Sequence, residues 1–141
     1  MKKGSLLVAL LALLFASCSS DSVDYRDQFT GNYNATNSIY SQDSLHTYNK
    51  DSLLVLNKYT LTITKSSNVS KEILLSNFVG DSITVKALVV GSDFTIVPDT
   101  VNKNVYSGTG TLSKSTLTIN IWVKSIQDDG YTNYIDAAVK N

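Results

Sequence analysis

Strict alternation of apolar and polar residues is the feature that most constrains this chain. Between residues 116 and 123, four aliphatic residues alternate with three polar residues and Trp122. Residues 59–64 repeat this period of two. Successive side chains of a strand point to opposite faces of a sheet, so the alternation predicts half-buried β-strands. No window has the i, i+3, i+4, i+7 apolar spacing of an amphipathic helix, and we expect almost no helix.

Turn-forming sequences separate the alternating runs at the spacing of β-hairpins. They are Gly80-Asp81, Gly91-Ser92, Ser113-Lys114 and Asp128-Asp129-Gly130. The runs between them predict eight strands, at residues 31–41, 53–65, 70–78, 82–90, 93–98, 104–112, 115–126 and 131–140. In the last strand the apolar residues alternate in the same way and predict one apolar, core-facing side; they are Tyr131, Ile135, Ala137 and Val139.

Eight antiparallel strands joined by short turns predict an all-β fold. An eight-stranded antiparallel up-and-down barrel is the favoured architecture, because closure removes the exposed edges of a sheet. A two-sheet β-sandwich has the same sequence signature and is the alternative.

The first eighteen residues predict export and lipid anchoring. Lys2 and Lys3 precede eleven apolar residues, 6–16, which are too few for the roughly 20 that a membrane-spanning helix needs. The segment ends in Ala16-Ser17-Cys18 and resembles the lipobox of bacterial lipoproteins. That resemblance implies that the Cys18 sulfur is joined to diacylglycerol and that Cys18 becomes the new N-terminus. The alternative is an ordinary signal peptide that leaves a free cysteine.

These features divide the chain into a signal peptide (1–17), a lipidated tether (18–28) and one β-barrel domain (29–141). Ser19 stands where enteric bacteria place an Asp for inner-membrane retention, so we expect an outer-membrane lipoprotein on the periplasmic or cell-surface face. Removal of Lys2 and Lys3 leaves ten basic and twelve acidic residues, a net charge of −2. This balance argues against a nucleic-acid partner.

The start of the predicted barrel resembles that of a known family. Residues 29–33 contain Gly31-Asn32-Tyr33, which resembles the Gly-x-Trp motif of lipocalins and other calycins. Residues 107–112 and 116–119 resemble the sixth and seventh strands of small lipocalin-like lipoproteins of Bacteroidetes. The resemblance implies that Tyr33 closes the barrel floor. Lys124 or Lys140 would then replace the Arg that packs over the aromatic residue in that family.

No catalytic residues and no cofactor are expected. Gly80-Asp81-Ser82-Ile83 resembles the Gly-Asp-Ser-Leu block of an esterase family, but a serine nucleophile needs a histidine base. The only histidine, His46, lies far upstream in a polar stretch. One histidine with Asp43 and Asp51 at uneven spacing is also a poor metal-ligand set, so no metal site is expected.

Two functions remain open for the barrel. It either binds a small apolar ligand or serves as a protein-interaction module, an accessory subunit or inhibitor with a filled interior. Bulky residues at the inward positions favour a filled core, whereas Gly108 and Gly110 are able to open space or bend their strand. The candidate contacts are Tyr40, Leu45 and Tyr48, in and beside the long polar stretch 42–52, and Trp122 on the outer face.

Overall fold

The chain forms a closed antiparallel barrel in which each strand pairs with the next in sequence and the last pairs with the first. The computed structural model describes residues 23–41, 53–127 and 131–141. Its strands are β1 (Gly31–Ser41), β2 (Leu53–Lys65), β3 (Glu72–Phe78), β4 (Ile83–Val90), β5 (Asp93–Val101), β6 (Asn104–Ser113), β7 (Thr116–Ser125) and β8 (Tyr131–Lys140). A single 3₁₀ turn, Tyr25–Gln28, precedes them.

This architecture confirms the predicted eight-stranded up-and-down barrel. The pairing of β8 with β1 runs from Tyr33–Lys140 to Ser41–Thr132, so the first and last strands have no free edge between them. The sandwich alternative is therefore wrong.

Strand β5 differs most from its predicted bounds, because it continues through Pro98 to Val101. Its register against β6 shifts between Ile96 and Asp99. A proline has no N–H for the ladder, and such an irregularity is where a strand tolerates one.

Along β4 and β7, successive side chains point alternately into the barrel interior and to the outer surface. The buried residues of these strands are Ile83, Val85, Ala87, Val89, Leu117, Ile119, Ile121 and Val123. Burying one aliphatic side chain stabilises the fold by roughly 1.5–3 kcal/mol, so this interior is the main source of stability. Trp122 lies on the outer surface and is 46% exposed, as the alternation predicts.

The last strand is the exception, and the predicted core face of β8 is wrong. Its outward residues are Ile135, Ala137 and Val139. Asp136 instead faces the interior, where the register places it between Asn37 of β1 and Ile119 of β7. Residues paired across strands share a face of the sheet, so these inward-facing neighbours override the apolar pattern of β8.

The barrel has two different ends. We call the end at which residue 31 begins β1 the closed end, because aromatic side chains fill it. Phe29 packs edge-to-face on Phe94 with ring centroids 5.5 Å apart, and both are buried. A Cβ added at Gly110 would lie 2.1 Å from Cζ of Phe94. Gly110 therefore makes room for the Phe94 ring, and the ring occupies the space that the glycine leaves.

Residues 24–28, which belong to the predicted tether, pack against the closed end. The Asp24 carboxylate pairs with Arg26 at 2.8 Å and with Lys65 of β2 at 3.0 Å. Arg26 also donates to two carbonyl oxygens of the β2–β3 turn, and Gln28 donates to a carbonyl oxygen of the β4–β5 turn. The described part of the tether is thus attached to the barrel.

The first prediction tests the fit between Gly110 and Phe94. Gly110→Ala should lower the free energy of unfolding by about 1–3 kcal/mol, because the new methyl group overlaps the ring. Phe94→Leu removes that ring, so the double variant should lose at least about 1 kcal/mol less than the two single variants together. Urea unfolding of the four proteins measures this. Strictly additive losses would show that the ring does not need the glycine.

Candidate functional site at the open end of the barrel

The opposite end of the barrel carries polar side chains in its interior. The strands β1, β3, β5 and β7 end at this open end, and β2, β4, β6 and β8 begin there, by the order of the antiparallel strands. The inward side chains here form what we call the open-end cluster: Asn37, Tyr59, Tyr106, Tyr134 and Asp136. Tyr59 and Tyr134 keep partial exposure, so this part of the interior meets solvent.

Asp136 is the most unusual member of the open-end cluster because it is a fully buried carboxyl group, 0% exposed. The Tyr59 hydroxyl donates a hydrogen bond to its Oδ2. Among the residues that the structure describes, its Oδ1 has no hydrogen-bond partner. Burial raises the pKa of Asp136 to about 6, although the hydrogen bond from Tyr59 opposes this rise.

Tyr59 reaches Asp136 from two strands away. Its partner on β1 is Ala35, whose other partner, on β8, is Ala138. Because both alanines are small, the tyrosine side chain is able to cross β1 to the carboxyl group. Burial, and then the negative charge of Asp136, raise the pKa of Tyr59 above its usual range, so the phenol stays protonated and donates.

The β3–β4 turn folds inward over the open-end cluster. Phe78 and Val79 are buried, and a Cβ added at Gly80 would lie 3.5 Å from Cβ of Tyr59. Val79 has a φ of 52°, which is strained for a β-branched residue. The Asn37 side chain helps to hold this conformation, since its Nδ2 donates to the Val79 carbonyl oxygen at 3.3 Å.

Tyr106 connects this turn to the far wall of the barrel. Its ring packs edge-to-face on Phe78, with centroids 6.2 Å apart, and burial raises the pKa of its hydroxyl. The carboxylate of Asp81 in the same turn contributes to the raised pKa of Tyr59, Tyr106 and Tyr134. Asp81 therefore adds negative charge close to the three phenols.

Tyr33 lies at the other end of the barrel. It is 0% exposed, and its hydroxyl donates to the Phe29 carbonyl oxygen at 2.8 Å. The Nζ atom of Lys140 lies 5.9 Å from the centroid of the Tyr33 ring and donates to the carbonyl oxygen of Gln28 at 3.2 Å. Gly31 permits this approach, because a Cβ there would lie 3.0 Å from Cε of Lys140.

The other sequence-based candidates are not brought together. Trp122 pairs with Ser107 and Asn133 on the outer surface and does not reach the barrel interior. Ser82 is exposed in the β3–β4 turn, where its backbone N–H donates to the Asn77 side chain. The side chain of Tyr40 is not described. Four further candidates lie outside the described residues, namely Cys18, Leu45, His46 and Tyr48.

Sequence reasoning missed Asp136 and Tyr59 as site residues. Polar residues of an alternating strand are assigned by default to the outer face. One signal was available: Tyr134, Asp136 and Ala138 alternate along the last strand and form a second face that is able to point inward. Only the register of β8 against β1 and β7 decides which of its two faces does so.

The structure also limits other kinds of site within its described residues. None of their helices is long and apolar enough to cross a membrane. No group of three or more His, Cys, Asp or Glu side chains in residues 23–41, 53–127 and 131–141 is arranged to hold a metal ion.

Comparisons with known proteins support the fold. No protein-family model and no curated protein matches the sequence. A crystal structure of a protein of unknown function from Bacteroides ovatus is 16% identical, with a TM-score of 0.50; the match covers 79% of this chain but only 41% of that one. The zebrafish ileal bile acid-binding protein, crystallised with cholic acid, is 15% identical over 80% of this chain and 98% of its own, with a TM-score of 0.40. At this level of identity the likeness to the Bacteroides ovatus structure concerns the fold alone, and the fold of this chain is a closed eight-stranded antiparallel up-and-down barrel.

The second prediction concerns the buried carboxyl group. Folding raises the pKa of Asp136 from 3.8 to about 6, so the folded protein binds more protons than the unfolded chain between these values. The Asp136 contribution to the free energy of unfolding therefore falls as pH rises from about 4 to about 6, by up to about 3 kcal/mol. Asp136→Asn removes this titration and keeps an oxygen for Tyr59. The variant should gain stability over wild type across that pH range.

Urea unfolding at pH 4, 5, 6 and 7.5 measures the difference between the variant and wild type. Among the described residues, the titratable groups that interact with Asp136 are the phenols of Tyr59 and Tyr134, which stay protonated in this range. Asp93→Asn changes an exposed carboxylate of β5 and is the matched control. Parallel stability curves for wild type and Asp136→Asn would contradict the prediction.

Proposed function

We propose that this protein is a non-catalytic, lipid-anchored outer-membrane lipoprotein whose barrel binds a small apolar ligand at its open end. The observation that carries the proposal is the contrast between the two ends. Aromatic rings fill the closed end, whereas Tyr59 and Tyr134 point inward at the open end and remain partly exposed. An eight-stranded barrel is wide enough to hold one small ligand where side chains do not fill it.

The chemistry of the lining supports an amphiphilic occupant. Tyrosine rings offer apolar faces and carry a polar group at one edge, so they contact hydrocarbon and a polar atom together. Asn37 and Asp136 add polar groups that orient a ligand, which is the usual composition of a small-molecule site. The strand β1 ends and β2 begins at this end, at Ser41 and Leu53, and we propose that Tyr40, Leu45 and Tyr48 add contacts there.

The lipid anchor is proposed from Cys18, and the surface near the start of the described chain supports it. Val23 is 70% exposed, Tyr25 55% and Val90 75%. Together with Lys71 and neighbouring residues they line an outer groove of about 420 Å³ beside the closed end. Cys18 precedes Val23 by five residues, which span at most about 18 Å. An anchored barrel would direct this apolar surface toward the bilayer and its open end away.

A second function is favoured by the outer face of β8. The outward set Ile135, Ala137 and Val139 exposes apolar surface, and Trp122 on β7 pairs with Asn133, two residues before Ile135 in β8. Exposed aromatic and aliphatic side chains in one area are typical of protein-interaction surfaces. This face would serve an accessory subunit or inhibitor, and it does not involve the barrel interior.

The third prediction separates these two functions. A ligand that binds the open end at 100 times its Kd should stabilise the protein by about 2.7 kcal/mol, which raises Tm by on the order of 10 °C. Tyr134→Ala should weaken binding of that ligand about tenfold, since it removes one aromatic wall. Thermal shift with single-chain amphiphiles, sterols and haem provides the screen.

Trp122→Ala is the matched control, because it removes an aromatic side chain of the outer face alone. Ligand affinity unchanged by Tyr134→Ala but reduced by Trp122→Ala would reject the open-end site. An interaction module would instead show no thermal shift, and Trp122→Ala would impair capture of an outer-membrane partner.

The fourth prediction concerns anchoring. Cys18→Ala removes the sulfur that would carry the diacylglycerol, so the protein should move from the membrane fraction to the soluble periplasmic fraction. Fractionation followed by immunoblotting measures this, and Ser17→Ala, which keeps a small residue before Cys18, is the control. Normal processing and membrane attachment of Cys18→Ala would reject the lipoprotein assignment.

A further inference from the structure

Asp136 presents an acceptor that the described residues leave without a donor. A carboxylate has about four acceptor positions on its two oxygens, and Tyr59 occupies one of them, on Oδ2. Oδ1 is buried and has no partner among the described residues. Buried polar groups of native proteins are nearly always hydrogen bonded, so an exception needs a reason.

In this conformation the neighbouring side chains of the described residues do not supply the missing donor. The Asn37 amide donates from Nδ2 to the Val79 carbonyl oxygen and accepts at Oδ1 from the backbone N–H of Asn57 at 3.2 Å, and it makes no hydrogen bond to Oδ1 of Asp136. Ile119, on the other side of Asp136, is apolar. A bound ligand is one source of the donor.

The charges around Asp136 indicate what kind of donor fits. Among the described residues, no cation contributes to the pKa of Asp136, which is set by burial and by Tyr59. The inward-facing Lys140 lies at the closed end, over Tyr33 and bonded to Gln28. Asp81 adds a second negative charge at the open end. A ligand with a carboxylate would meet repulsion here, and a cation would meet attraction.

The aromatic members of the open-end cluster point to the same chemistry. Tyr59, Tyr106 and Tyr134 come from three strands, β2, β6 and β8, and lie in the same open-end cluster as Asp136. The faces of aromatic rings attract ammonium groups, most strongly where water is excluded. A buried carboxylate in a tyrosine-rich cluster thus has the chemistry of a receptor for an amine.

We propose that Asp136 is the anchoring residue for an ammonium group, and that the ligand of this barrel is an apolar molecule bearing a primary amine. The ammonium donates to Oδ1, Tyr59 holds Oδ2, and the hydrocarbon part extends along the tyrosines toward the mouth. This inference rests on the proposed function of ligand binding at the open end, and it specifies the class of ligand.

Three probes with one hydrocarbon chain test the inference: dodecylamine, 1-dodecanol and dodecanoate, each below its critical micelle concentration. Binding to the chain from residue 18 onward, the proposed mature form, is measured by calorimetry at pH 7.5, where Asp136 is ionised. Dodecylamine should bind about 100-fold more tightly than dodecanol, because only the amine pairs with the buried charge. Dodecanoate should bind more weakly than either.

Asp136→Asn should abolish the preference for dodecylamine over dodecanol. Asp93→Asn, the exposed control, should keep the preference. A test without any variant guards against misfolding: in wild type, dodecylamine affinity should fall as pH drops from 7.5 to 5 and Asp136 takes up a proton, while dodecanol affinity stays constant.

The outcomes separate the inference from the function on which it rests. Equal binding of the amine and the alcohol, or tighter binding of dodecanoate, overturns the amine assignment and leaves an open-end ligand site intact. An unchanged preference in Asp136→Asn also overturns it, since the charge would then lie elsewhere. No binding of any of the three probes overturns both the inference and the proposed function.

Discussion

The hydrogen bonding of β8 to both β1 and β7 is the constraint on which the rest of this structure depends. It closes the barrel, and its register decides which residues of the last strand face inward. A slip of one residue would exchange Asp136 for Ile135 in the interior, because side chains alternate along a strand. The observed register is supported at the closed end, where Lys140 lies over Tyr33 and bonds to Gln28. The register of β8 thus determines both that Asp136 is buried inside the barrel and that Ile135, Ala137 and Val139 lie on its outer face.

The strands and their topology could be predicted because they depend on local patterns. Alternation in β4 and β7, with turn residues between the runs, was sufficient to place eight strands and to put Trp122 on the outer surface. The face of β8 could not be predicted in the same way. Both of its faces contain apolar residues, with Tyr134 and Ala138 on one side and Ile135 and Val139 on the other. Only pairing with strands distant in sequence decides between them.

The same reason limits which site residues local sequence is able to indicate. Tyr33 was singled out by the short motif Gly31-Asn32-Tyr33, and its role as the barrel floor stays a prediction, although Lys140 lies over its ring in the structure. Asp136 and Tyr59 are 77 residues apart and meet across β1. Nothing in the neighbourhood of either residue indicates the other. Tyr40, Leu45 and Tyr48 remain predictions.

Features that lower stability are concentrated at the open end. Asp136 loses hydration without a full set of hydrogen bonds, and Val79 is held at a strained φ of 52° by contacts that include the Asn37 side chain. The closed end instead combines the Phe29–Phe94 contact, the buried Tyr33 and the ion pairs of Asp24. Packing at one end therefore offsets the cost of a polar, strained site at the other. Because the two ends share every strand, a ligand that donated a hydrogen bond to Asp136 would raise the free energy of unfolding of the whole barrel. The size of this increase would reflect how far the buried carboxyl group destabilises the barrel when no ligand is bound.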